Sequence, residues 1–116
     1  MKTHKDLDAW KVSIEMVIEV YTETKNFPKE ELYSLVSQIR RSAVSVPSNI
    51  AEGAARKSKK EFIQYLHISL GSLAELETQI IISTKLGYLK GDELLATILD
   101  IRKLISGLLR YLKNSD

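Results

Sequence analysis

Few side chains here are equipped for chemistry. The 116 residues include two histidines, His4 and His67, and no cysteine, so thiolate nucleophiles and cysteine-ligated zinc are excluded. A di-iron site in a helical bundle needs Glu-x-x-His on two helices, which sets carboxylate and imidazole on one inner face. Three residues after Glu15, Glu61, Glu75 and Glu77 stand Ile18, Gln64, Thr78 and Ile80, so that motif is missing. Glu75 and Glu77 are two apart, roughly 200° around a helix, and cannot work as a pair on one face. Ser34, Ser37, Ser42, Ser45 and Ser48 lack a neighbouring histidine or a nucleophile-elbow pattern. No glycine-rich phosphate loop is present. The reading is of a protein without catalytic residues, metal or cofactor.

Charge carries more information. The formal net charge is only +2, but its distribution is uneven. Residues 40–60 hold Arg40, Arg41, Arg56, Lys57, Lys59 and Lys60 against the single carboxylate of Glu52, while the flanking segments are mildly acidic. Arg41, Ser45, Ser48, Glu52 and Arg56 fall on one helical stripe. Arg102, Lys103, Arg110 and Lys113 form a secondary set near the C-terminus. Such clusters neutralise phosphates and give affinity with little sequence selectivity. The plainer alternative is a solvated turn carrying ordinary surface lysines.

Four helical patterns must position these residues, over about 6–25, 29–55, 59–86 and 92–113. Leu7, Trp10, Ile14, Val17 and Tyr21, spaced 3, 4, 3, 4, are the expected seam of the first. The second carries Leu32, Leu35, Val36, Ile39, Ala43, Val46 and Ile50, with a kink expected at Pro47. Ser58-Lys59-Lys60-Glu61 is a capping box that opens the third, and Gly87 is its expected left-handed stop. The fourth holds Leu94, Ile98, Ile101, Ile105, Leu108 and Leu112, widened by Leu95, Leu99, Leu104 and Leu109. Short connections make one all-α domain, residues 1–116, folded as an antiparallel up-and-down four-helix bundle.

Composition fits this: 44% apolar, 28% charged, five glycines and two prolines. No apolar run approaches the roughly 20 residues of a membrane span, and the charged N-terminus does not read as a signal peptide. The expected setting is cytoplasmic, away from membranes. The third and fourth helices carry more apolar residues than one small core needs, which points to self-association; a wide core stripe in a monomer is the alternative.

QIRRSAVSVPSNIAEG at 38–53, GSLAELE at 71–77 and LGYL at 86–89 closely resemble the bacterial 23S rRNA intervening-sequence protein family, or four helix bundle proteins. Trp10 in LDAWK and Phe27-Pro28 before Glu31-Leu32-Tyr33 extend the resemblance over nearly the whole chain. One departure is His4, where the family usually has an aromatic residue three before the leucine matching Leu7. The resemblance implies a bundle assembling into a homopentameric ring, with no assigned catalytic activity. A related group, the accessory variability determinants of diversity-generating retroelements, looks like a pentameric, positively charged partner of a reverse transcriptase and of nucleic acid.

Two functions follow as expectations. The first is a non-enzymatic oligomer that binds RNA or DNA through basic residues repeated around a ring. The second is an adaptor for a partner protein. The matching motif residues have structural readings. Asn49 is expected to serve a carbonyl freed near Pro47, and Glu52 to pair with Arg56 or an arginine of another helix; the alternative for both is a contact to a small molecule or nucleotide. Gly53 marks the exit of the second helix, and Gly71 and Ser72 are expected to allow close helix packing. Glu75 is a candidate to hold Arg40 or Arg41 across the bundle, which would take those arginines from phosphate.

Overall fold

The structure is a computed structural model that describes residues 3–115. Four helices make up the fold: α1 (Asp8–Thr24), α2 (Leu35–Ala54), α3 (Lys59–Lys85) and α4 (Asp92–Lys113). Each helix packs against its two neighbours in the order α1–α2–α3–α4–α1, and the backbones of diagonal pairs stay further apart. With connections this short, the arrangement is an up-and-down four-helix bundle. It is 49 Å long and 22 × 19 Å across. No helix among the described residues is long and apolar enough to cross a membrane.

The core is one continuous cluster. Val36, Ile39, Ala43, Val46 and Ile50 of α2 meet Phe62, Leu66, Leu73, Leu76 and Ile80 of α3, and Leu94, Ile98, Ile101 and Ile105 of α4 close it. On α1 the buried line is Ala9, Ser13, Met16, Val20 and Thr24, one position away from the seam expected from the large apolar residues. Two buried hydroxyls make this register possible. Ser13 Oγ donates to the Ala9 carbonyl at 2.6 Å and Thr24 Oγ1 to that of Val20 at 2.7 Å, so each is satisfied inside its own helix. Of the expected seam, Ile14 and Tyr21 are left exposed while Leu7, Trp10 and Val17 stay half-buried against the core; Ile18 is exposed as well.

Helix α2 begins six residues later than expected. Lys29–Glu31 form a 3-10 turn instead, and Ser34, at φ −128° and ψ −104°, breaks the path before α2 starts. Leu32 is consequently 45% exposed and Tyr33 92% exposed. Pro47 lies buried inside α2, which continues through it to Ala54.

Both helix-end signals around α3 act locally. Ser58 Oγ accepts from the Glu61 amide at 3.3 Å. The reciprocal half of the capping box is not made, and the Glu61 carboxylate lies 3.9 Å from Arg56. Gly87 has φ +82°, and the Gly87 and Tyr88 amides donate to the Thr84 and Ser83 carbonyls, closing α3. His4 sets its ring edge-on against Trp10, with centroids 5.1 Å apart.

Candidate nucleic-acid interface

The end of the bundle formed by the C-termini of α2 and α4 and the N-terminus of α3 gathers most of the expected basic residues. Arg56 and Lys57 leave α2, Lys59 and Lys60 open α3, and Arg110 and Lys113 lie in the last turn of α4. Contacts tie these elements together. The Lys59 ammonium donates to the backbone carbonyl of Ser115 beyond α4. Arg110, Lys113 and Asn114 line a shallow cavity with His67 and Leu70 of α3. Lys60 and His67, seven residues apart on α3, share that side of the helix.

These cations are not equally available. Arg56 donates to Glu52 at 2.9 Å and to the Tyr65 hydroxyl at 2.8 Å, with Glu61 also within ion-pair distance. Its guanidinium also sits over the Tyr65 ring, 5.1 Å from the centroid. Tyr65 first, and then Glu52 and Glu61, push the Arg56 guanidinium above its already high ordinary value, with desolvation opposing. Arg56 is thus spoken for. Among the described residues, Lys57, Lys60, Arg110 and Lys113 have no ion-pair or hydrogen-bond partner on their side chains, and they define the free charge at this end.

The remaining candidates lie elsewhere. Arg102 of α4 pairs with Glu77 of α3 at 2.9 Å, both about one-third exposed, a bond that fastens the two helices. Lys103 is exposed on the next position of α4. Arg40 and Arg41 sit on α2 about 22 Å from Arg56 at 1.5 Å per residue. Glu75 does not hold either arginine. Arg40 Nε donates to Thr24 Oγ1 at 3.1 Å, and its guanidinium lies over the Tyr21 ring, 4.5 Å from the centroid. Arg41 and Glu75 line one cavity with Gln38, Ser42 and Ser45 but form no ion pair.

The motif residues serve the α2–α3 contact. Asn49 Nδ2 donates to the Ser45 carbonyl at 2.8 Å and to Ser45 Oγ at 2.9 Å. Ser45 and Ser72 share a hydrogen bond of 2.8 Å between hydroxyls, and Ser69 Oγ donates to the Val46 carbonyl at 2.9 Å. Two α2 carbonyls beside Pro47 therefore gain side-chain donors. Gly53 is buried against α3, with room for no side chain. Gly71 plays no such part: a Cβ there would meet nothing within 4 Å, since the residue faces away from α2.

At the opposite end, Glu19 is held above the usual carboxylate value by partial burial and by repulsion from Glu93 and Glu23. Among the described residues no group of three His, Cys, Asp or Glu side chains could hold a metal ion. The apolar excess also falls differently from expectation. Leu95 and Leu104 are half-buried and Leu109 is buried against the core, so α4 spends most of its width internally. Exposed apolar side chains are spread over α1, the 32–33 turn, α2, α3 and α4 rather than concentrated on α3 and α4.

Fold and site together define a small all-helical bundle with cations clustered at one end. The sequence profile of the 23S rRNA-intervening sequence protein family matches residues 5–109, and the chain belongs to that family. No curated protein matches the chain.

Proposed function

We propose that this chain is a non-enzymatic, self-associating four-helix bundle that binds nucleic acid through the basic end of the bundle. The observation that carries this reading is the gathering at one end of the bundle of Lys57 from the α2–α3 turn, Lys60 from α3, and Arg110 and Lys113 from α4, with no carboxylate paired to any of them. Cations held at one end of a rigid rod contact phosphates without base readout. Self-association, a homopentameric ring by the family resemblance, repeats the patch once per subunit and multiplies its field. The exposed Ile14, Ile18, Ile68, Ile81, Ile82 and Leu99 supply apolar surface for such contacts.

The test is a salt titration of binding to a structured RNA and to a DNA duplex, followed by fluorescence anisotropy. Affinity should fall steeply between about 50 and 200 mM salt, and neutralising Lys57, Lys60, Arg110 and Lys113 to Gln should flatten the slope by about 0.9 per lost duplex phosphate contact. Sedimentation velocity on both proteins reports whether assembly is unchanged. Absence of binding at low salt, or an unchanged slope in the four-site variant, would refute the reading. In that case the bundle is an adaptor, expected to bind a partner protein and no nucleic acid.

A further inference from the structure

A second feature lies away from the basic end. The mismatch between the apolar pattern of α1 and its buried line leaves Tyr21 at the α1–α2 boundary, and the late start of α2 leaves Tyr33 projecting beside it. Between them runs an open groove of about 740 Å³, within the size range of small-ligand sites, whose walls include Tyr21, Tyr33, Ser37, Arg40, Arg41 and Val44. No acidic residue lines it.

The groove has an organised wall. Arg40 is fixed from two sides, by its bond to Thr24 and by its seat over Tyr21, yet no carboxylate pairs with it. Arg41 has neither an ion pair nor a hydrogen bond on its side chain. Tyr33 is 92% exposed and has no ring partner. Flat π surfaces, a guanidinium lying on one of them, an unpaired cation and a hydroxyl at Ser37 suit a ligand that is both planar and anionic. An acidic peptide supplies the charge without the plane, and a paired duplex hides its base faces.

We propose that this groove binds an unpaired nucleotide, with the base stacked on the Tyr33 and Tyr21–Arg40 surfaces and its phosphate facing Arg41. The proposal rests on the nucleic-acid reading above and sharpens it to single-stranded segments. Stacking platforms flanked by cations are a general solution for single strands, and base–aromatic stacking changes affinity by roughly tenfold per base.

The experiment uses a 2-aminopurine dinucleotide, too short to span from Arg41 to the basic end, and a longer single-stranded RNA carrying the same fluorophore. Quenching of the dinucleotide by the wild-type chain is expected. Tyr33→Ala and Arg41→Gln, both at exposed positions, should each weaken the dinucleotide about tenfold, while the four-site Gln variant leaves it unchanged. No quenching of the dinucleotide, with the long RNA still bound in a salt-dependent way, overturns the groove and leaves the basic end standing. Dinucleotide quenching without salt-dependent binding of long RNA overturns the basic-end reading instead. A change of sedimentation coefficient in Tyr33→Ala assigns the groove to a contact with a second copy and overturns the nucleotide site.

Discussion

Gly53 and Gly71 stand on the two helices of the tightest interface in the bundle, and the structure assigns opposite signs to the same substitution at each. A Cβ built on Gly53 would lie 2.6 Å from Tyr65 Cβ, 3.0 Å from Phe62 Cδ1 and 3.3 Å from the Phe62 carbonyl oxygen. The nearest atom is attached directly to the α3 backbone, so relief requires the helices to move apart rather than a rotamer change. Overpacking of this kind costs roughly 1–3 kcal/mol, while replacing a glycine in the last turn of a helix by alanine returns at most about 1 kcal/mol of helix propensity. Because the contact cannot be relaxed cheaply, the upper part of the range applies. Gly53→Ala should therefore lose about 1–2 kcal/mol net. For a domain of this size that lowers Tm by roughly 4–8 °C. Gly71→Ala meets nothing within 4 Å and should gain about 1 kcal/mol, raising Tm by roughly 4 °C. The assay is thermal unfolding by circular dichroism at one fixed protein concentration, since assembly would otherwise shift Tm. A Gly53→Ala protein as stable as wild type would refute the close approach of α2 and α3 at this point.

Three further outcomes follow from single contacts. Asn49→Ala removes two half-buried hydrogen bonds to Ser45 and should cost about 1 kcal/mol, read from urea unfolding; no loss would show that the carbonyls beside Pro47 need no side-chain donor. Glu77→Gln should cost no more than about 1 kcal/mol, because the pair with Arg102 is one-third exposed, and the cost should shrink in high salt. Glu19→Gln should raise Tm at pH 7 by removing a carboxylate that partial burial desolvates and that Glu93 and Glu23 repel. A group whose pKa is raised on folding stabilises below its unfolded value and loses that contribution as pH rises through its folded one, so the gain should vanish near pH 4. A gain that persists at pH 4 would rule out the electrostatic explanation.

Much of the architecture is legible in the sequence because α2, α3 and α4 bury their large apolar residues at ordinary helical spacing. Val36, Ile39, Ala43, Val46 and Ile50 are buried as the pattern requires, as are Leu94, Ile98, Ile101 and Ile105. Helix α1 departs from its pattern for a physical reason. A hydroxyl bonded to the carbonyl four residues back costs little to bury, so Ser13 and Thr24 compete successfully with Ile14 and Tyr21 for the interior. Counting apolar residues weighs size and misses that satisfaction. Basic residues were equally visible, but only their local partners were. Pairing of Arg56 with Glu52 follows from i,i+4 spacing, whereas the Arg102–Glu77 bond joins residues 25 apart and needs the fold to be seen.

These departures are connected. The same rotation of α1 that buries Ser13 and Thr24 turns Tyr21 toward α2, where it supports Arg40, and puts Thr24 Oγ1 within reach of Arg40 Nε. Arg40 is thereby organised by neutral groups and keeps its charge unpaired, which a glutamate from α3 would have cancelled. Had Ile14 and Tyr21 formed the seam, the α1–α2 boundary would be filled and Arg40 would lack its aromatic support. The apolar stripe that misleads a reading of the sequence is thus the source of the groove, and local conflict between pattern and packing is where a binding surface is to be sought.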